Sequence, residues 1–339
     1  MISVSNVSYI GIINRMREFD GGRGTEANPY RIVKTRHYKN TGKYANAFYR
    51  LENDIVFTDE FEPDGEYYNN GALWLPISTF TGVFDGQGYK VENLKAVFSD
   101  SNKGGFCNYL DTNSTVKNVY FKSLNIDRTS TSIQHIGGVV GRGNSPTTSL
   151  IEAVYVDGYF RTGLRTGGIL GINGTLRRCA TNLEHIASEN SGGLVCGSST
   201  YQYVYDCYTR GSLSCPNHRA CIHGATFGAR IYRSYSYQVL LGGFNYKRGI
   251  ISLYDGYNGE SYDCYWDTGT TTATISQNYG TGLTVGLTTT QSKYPYPEYN
   301  GTDKAYAGWD FDTVWAHDVN GNINNGYPYL RGVTPLPSS

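Results

Sequence analysis

The chain has 339 residues, 29 basic and 29 acidic, with Gly 42, Tyr 31 and only 17% charged residues. A formal net charge of zero gives no electrostatic footprint for a nucleic acid. No run approaches the 18 apolar residues that a membrane-spanning helix requires.

Sustained apolar spacing of 3.6 is absent, so helix is a minor component. Short β-branched and aromatic runs between Gly, Asn, Asp and Ser predict an all-β protein. Residues 1–20 read as a lead-in or attachment segment, without the basic start, apolar core and cleavage site of a signal peptide. Residues 21–79 read as an N-terminal cap with the first irregular turns. Within them, Tyr30 to Val33 is a short strand, and Thr35 to Asn46 reads as a short helix capped by Thr35. Phe48 to Phe57 reads as a strand pair broken at Asn53-Asp54.

Phe80 to Leu94, FTGVFDGQGYKVENL, opens the regular part of the chain. Its Asp85 reads as a turn brace beside two glycines. From here the sequence repeats. Glycine pairs recur at Gly104, Gly137, Gly167 and Gly192, with weaker copies at Ala220 and Gly242. Between them a second strand recurs, starting at Val116, Ile151, Leu176, Val204, Ile231 and Ser261. Units of this length cannot bury their own apolar side, so stacking them predicts a β-solenoid. A propeller, which needs a longer unit, is the second choice.

The pieces GGRGTEANPYRI, FTGVFDGQGYKVENL, GGVVG, GGILG, GGLVCG, YDCYWD, GWDFDTVW and GYPYLRG together resemble the glycine-rich β-helix proteins that carry the GLUG motif. That resemblance implies a single-stranded right-handed parallel β-helix, usually in adhesins and surface proteins, and brings no catalytic residues. The expectation is a solenoid over 80–270 with eight to ten turns, roughly 40 to 50 Å long. Residues 271–339 then form an excursion, across the helix end or along its side, and a cap covering the last turn.

Aligning the second strand gives columns. Val119, Val154, Cys179, Cys207, Ser234 and Cys264 form an inward ladder. The seven cysteines, an odd number, read mainly as buried thiols, with a Cys179–Cys207 disulfide as the alternative. Tyr120, Tyr155, Tyr208, Tyr235 and Tyr265, interrupted by Ala180, form either a self-supporting aromatic ladder or a glycan- or protein-binding stripe. Asp206 is expected between Arg178 and Arg233 as an ion ladder. Cys215, His218, Cys221 and His223 form a candidate zinc set whose spacing matches no common finger. No cofactor is implied.

The first functional expectation is a virion-borne adhesin: a phage tail fibre, spike or receptor-binding protein made in the host cytoplasm. It would bind a host-surface glycan or protein, join other virion proteins through its N-terminal segment, and form a homotrimer in the manner of fibres. No nucleic acid and no membrane insertion are expected. A bacterial adhesin segment, extracellular or on the cell surface, is the alternative. A β-helix polysaccharide depolymerase is the enzyme reading, although the aligned columns offer no catalytic set.

Overall fold

The computed structural model describes residues 18–145, 147–197, 202–217, 219–242, 247–273, 275–276 and 284–337. Among the described residues, twenty-five strands of two to eighteen residues join one continuous sheet by parallel pairing, and only a few short helices interrupt them. The protein is a parallel β-solenoid.

Four ladders run along it. The first carries Tyr30, Tyr49, Phe84, Val116, Ile151, Leu176, Val204, Ile231 and Ser261 in direct register. All nine side chains are buried. The second passes through Ile55, Val91, Phe121, Val156, Thr181, Thr209, Ser236, Trp266 and Gly286. The third follows Ala96, Ile126, Phe160, His185, Leu213 and Leu240. The fourth follows Ile77, Cys107, Val140, Leu170, Val195, His223 and Ile251. Each fully buried Leu, Ile, Val or Phe contributes about 1.5–3 kcal/mol. Stacking turns is what makes that burial available to such short strands.

Only six turns carry all four ladders, the first through Phe84 and the last through Ile231. The two longest ladders reach nine strands and span about 38 Å, so the expectation of eight to ten turns holds for them alone. The end turns are incomplete. At the N-terminal end, Tyr38 of the helix Thr35–Lys39 fills the interior against Trp74, Phe84 and Phe106. That helix is shorter than expected and begins after Lys34 without a side-chain cap, so Thr35 is not its N-cap.

The repeat columns have separate physical causes. Two residues past each first-ladder position is a left-handed corner, occupied by Asn118, Ala153, Arg178, Asp206, Arg233 and Asp263 at φ between 43° and 53°. One residue there turns the chain from the first sheet to the second. The next position, the predicted inward ladder, is buried from Val119 to Cys264. Its polar members also bond the backbone. The Cys207 Sγ accepts from the Cys179 amide (3.3 Å), and the Ser234 Oγ accepts from the Cys207 amide (3.1 Å). All seven cysteines are free and buried, so Cys179 and Cys207 form no disulfide.

The glycine pairs form the opposite corner. A Cβ on Gly138 would lie 2.2 Å from the Gly168 carbonyl oxygen, and one on Gly168 would lie 2.2 Å from that of Gly193. Adjacent turns therefore touch backbone to backbone at this corner, and a side chain there would force them apart. Gly138→Ala is expected to lower stability by about 1–3 kcal/mol, measured by denaturant unfolding.

His185 and His223 are fully buried, and burial lowers their pKa values to about 3 and about 4. The unfolded chain binds these protons first, so stability is complete above about pH 6.5 and falls as pH drops towards 4. Each histidine contributes a slope of about 1.4 kcal/mol per pH unit in that window. Urea unfolding from pH 7.5 to 4.5 is expected to show this loss, and His185→Gln to flatten it.

Candidate functional site

The tyrosine column lies on the outward side of the second ladder, as alternation along a strand requires. It is not exposed, however. Tyr155, Tyr208, Tyr235 and Tyr265 are buried, and Tyr120 is half-buried. Of the two courses expected for the C-terminal segment, it takes the one along the side, and it reaches well beyond the last turn. It folds back along the side of the solenoid and lays Leu287, Tyr296, Tyr306, Trp309, Trp315, Tyr327 and Leu330 over the column. A two-stranded antiparallel pair, Trp315–Ala316 with Tyr329–Leu330, shapes this cover.

Polar contacts fix its register. Asn324, fully buried, donates from Nδ2 to the Tyr235 hydroxyl (2.6 Å) and the Pro328 carbonyl (2.7 Å). Its Oδ1 accepts from the Tyr237 hydroxyl (2.6 Å) and from Arg210 (3.1 Å). The Tyr208 hydroxyl meets Thr334 Oγ1 at 2.9 Å. Within the column, Tyr208 stacks on Tyr235 with ring centroids 5.3 Å apart. Tyr155 and Tyr208 lean together over the small Ala180 to a centroid distance of 6.5 Å. Arg210 reaches back across this gap and donates to the Tyr155 hydroxyl at 2.7 Å. Burial raises the Tyr155 pKa to about 12. With the cover in place, these rings form a core, and a binding role for them requires the cover to leave.

Of the zinc candidates, Cys215, Cys221 and His223 are buried, and His218 lies outside the described residues. His223 Nε2 meets Gln202 Oε1 at 3.1 Å. Among the described residues, no group of three His, Cys, Asp or Glu side chains comes together to hold a metal. The charged column divides differently from expectation. Arg233 pairs with both oxygens of Asp206, at 2.7 and 2.8 Å. Arg178 turns instead to Glu152, at 3.1 Å. That outward glutamate lies one rung below, where the left-handed corner aims the arginine.

The outward face of the first ladder remains accessible. Two columns flank the buried one. The nearer to the corner reads Arg50, Asp85, Lys117, Glu152, Arg177, Tyr205, Tyr232 and Tyr262. The other reads Phe48, Val83, Thr115, Leu150, Thr175, Tyr203, Arg230 and Glu260. Opposite charges alternate over the lower rungs: Lys117 lies 3.3 Å from Asp85, and Arg177 lies 3.8 Å from Glu152. Above them Tyr205, Tyr232 and Tyr262 stack at 5.0 and 4.9 Å with interplanar angles of 9° and 8°. Their faces are turned to one another, so edges and hydroxyls meet solvent. The Tyr262 hydroxyl donates to Glu260 at 3.0 Å.

Two recesses open on this face. One, of about 360 Å³, is lined by Phe48, Arg50, Val83, Asp85, Lys117, Leu150 and Glu152, with Glu26 and Pro29 at its edge. The other, of about 350 Å³, lies higher and is lined by Thr147, Thr175, Arg177, Tyr203 and Tyr205. Sequence reasoning missed this stripe. The signal was nevertheless present, since VYDCYT, IYRSYS and SYDCYW each carry a tyrosine in second place.

Chemically, the face suits binding. Asp85 and Glu152 lie two rungs apart, about 10 Å along the backbone, with Lys117 between them. Each is engaged by cations, whereas a glycosidase needs one carboxyl group free to donate a proton. The five described histidines have amide, hydroxyl or backbone ring partners: the Val33 amide, Asn102, Thr162 with Thr166, Gln202 and Tyr296. A histidine–carboxylate pair for an activated nucleophile is not among these contacts.

No family model matches the chain. Halomucin of Haloquadratum walsbyi is 28% identical over 123 residues, which are 35% of this chain and 1% of that protein. A "putative Gly-rich membrane protein" of Evansella cellulosilytica is 31% identical over 107 residues, 30% of this chain and 12% of that protein. The chain thus spans only a small part of the curated relatives it matches. The crystal structure of a "putative immunoglobulin A1 protease" from Bacteroides ovatus superposes with a TM-score of 0.66 at 18% identity, covering 93% of this chain and 96% of that one. At that identity the likeness establishes the solenoid fold alone.

The cover predicts a specific weakness. Asn324→Ala removes four hydrogen bonds, three of them buried, and is expected to cost about 2–4 kcal/mol. Limited proteolysis is expected to cleave the segment 287–334 of this variant faster than that of the wild type, while the solenoid resists.

Proposed function

We propose that the protein is a surface-displayed, adhesin-like module that holds an extended glycan along the outward face of the first ladder. The observation that carries this reading is the contrast between two aromatic stripes. One is sealed beneath the C-terminal segment, whereas the other lies open beside two recesses on one of the two longest ladders. Contacts repeated at each rung suit a polymer, because many weak subsites along one chain add up to useful affinity.

The finer reading is display on a phage particle, as a tail fibre or receptor-binding protein docking on a host-surface glycan or protein. Seven free, buried thiols support it, since they fit folding in a reducing cytoplasm. Attachment to other virion proteins would use the N-terminal segment, of which residues 1–17 lie outside the described residues, and trimerisation would multiply the binding faces. Display on a cell is the second reading, favoured by the likeness of 30% of the chain to the Gly-rich membrane protein. Membership of the GLUG-motif group is part of the same proposal, supported by GGVVG, GGILG and GGLVCG stacked at one corner.

A glycan array with the purified protein tests the binding reading. Binding is expected to weaken at least tenfold in the double variant Tyr232→Ala/Tyr262→Ala and to be unchanged in Tyr294→Ala, a control on the cover. Equal binding by all three proteins would overturn the assignment to this face, and no binding to any glycan would overturn the function.

A further inference from the structure

Resting on the glycan-binding reading, we propose that the upper recess is an acid-recognising subsite, taking the carboxylate of a uronic-acid residue within the bound saccharide. Arg177 is the charged side chain that lines this recess; its companions Thr147, Thr175, Tyr203 and Tyr205 carry hydroxyls. Its side chain is 50% exposed, against 35% for Lys117 and 39% for Arg50 on the same face. The neighbouring acid leaves it underused. Glu152 pairs with Arg178 at 3.1 Å but stands 3.8 Å from Arg177, beyond hydrogen-bonding reach. The Arg177 guanidinium lies 5.9 Å from the centre of the Tyr205 ring. This cation–π contact holds the plane in place and leaves its N–H fork available. A planar carboxylate is the partner that such a fork meets with two parallel hydrogen bonds.

The surroundings select a saccharide over an acidic peptide. Hydroxyls serve as both donors and acceptors, as sugar hydroxyls do. Tyr203 and Tyr205 have nearly parallel rings, 1° apart in plane with centroids 6.2 Å apart, and form a rigid wall. A peptide strand finds no open edge here, because the backbone at Thr175–Arg177 is already paired on both sides, with Leu150–Glu152 and Tyr203–Tyr205. The lower recess differs in carrying Asp85 and Glu152 beside Arg50 and Lys117. With Glu26 also in its lining, the lower recess carries three acids against two bases, so the carboxylate of the ligand is assigned to the upper recess.

The test uses the whole chain and calorimetric titration with two sets of probes. The first set is oligogalacturonides and glucuronate-containing oligosaccharides; the second is the same compounds after carboxyl reduction. The acidic forms are expected to bind at least tenfold more tightly than the reduced forms. Arg177→Gln is expected to remove that preference, so that acidic and reduced forms bind the variant with equal affinity. Arg177→Lys, which keeps the charge but loses the fork, is expected to recover only part of it. Reduced and acidic forms binding wild type equally, or Arg177→Gln retaining the preference, would overturn this subsite while the glycan-binding face stands. An acidic peptide such as hexaglutamate binding in place of the saccharides would also overturn it. Failure of every saccharide here and on the array would remove both readings together.

Discussion

Parallel backbone pairing between successive turns is the constraint on which the rest of the structure depends. Each rung lies about 4.8 Å from the next, so outside bulges and widened corners a strand residue sits directly over its copy in the turn below. A residue type is tolerated only if it is compatible with its own repetition. At the tight corner, carbonyl oxygens of one turn press on the glycines of the next from Gly104 to Gly193, and the column then continues as Ala220 and Arg248 in the last turns. At the opposite corner a single left-handed residue suffices, and its side chain is free to vary, as Asn118, Ala153, Arg178 and Asp206 show. Inside, the same logic gives apolar columns with occasional thiols and hydroxyls that bond the backbone of the adjoining turn.

This constraint also explains what was legible in the sequence. The six strand starts read from Val116 to Ser261 are the residues that the first ladder places in register. The thiol column and the outward tyrosine column follow from that register, because both depend only on position within a repeat. The stretch Phe80 to Leu94 opens the first turn with all four ladders, supplying Phe84 and Val91 to the first two. Its corner is two residues wider than later ones, since Phe84 to Lys90 spans the same arc as Val116 to Tyr120. Asp85 braces that wider corner by accepting from the Gln87 amide and from Asn118, both at 3.0 Å.

What the sequence left hidden is not periodic. The cover depends on contacts such as Tyr208 with Thr334 and Tyr235 with Pro328, about a hundred residues apart. No local pattern announces them. Whether an outward column faces solvent or a returning segment is therefore decided outside the repeat. The same reasoning limited the ion ladder: the column Arg178, Asp206, Arg233 was visible, yet Arg178 found a better-placed acid in a neighbouring column. Function follows the same division, because the repeat supplies a regular face and the cover decides which face remains open.

The central claim is that the face beside Tyr205, Tyr232 and Tyr262 is the working surface and that the covered tyrosines are core. Hydroxyl-radical footprinting of tyrosines, with and without a glycan that the protein binds, tests it most directly. The account predicts labelling of Tyr203, Tyr205, Tyr232 and Tyr262 in the free protein and protection of these four on binding. Tyr155, Tyr208 and Tyr235 stay unlabelled in both states. Strong labelling of those three in the free protein, or protection on binding confined to residues away from the first-ladder face, would contradict it.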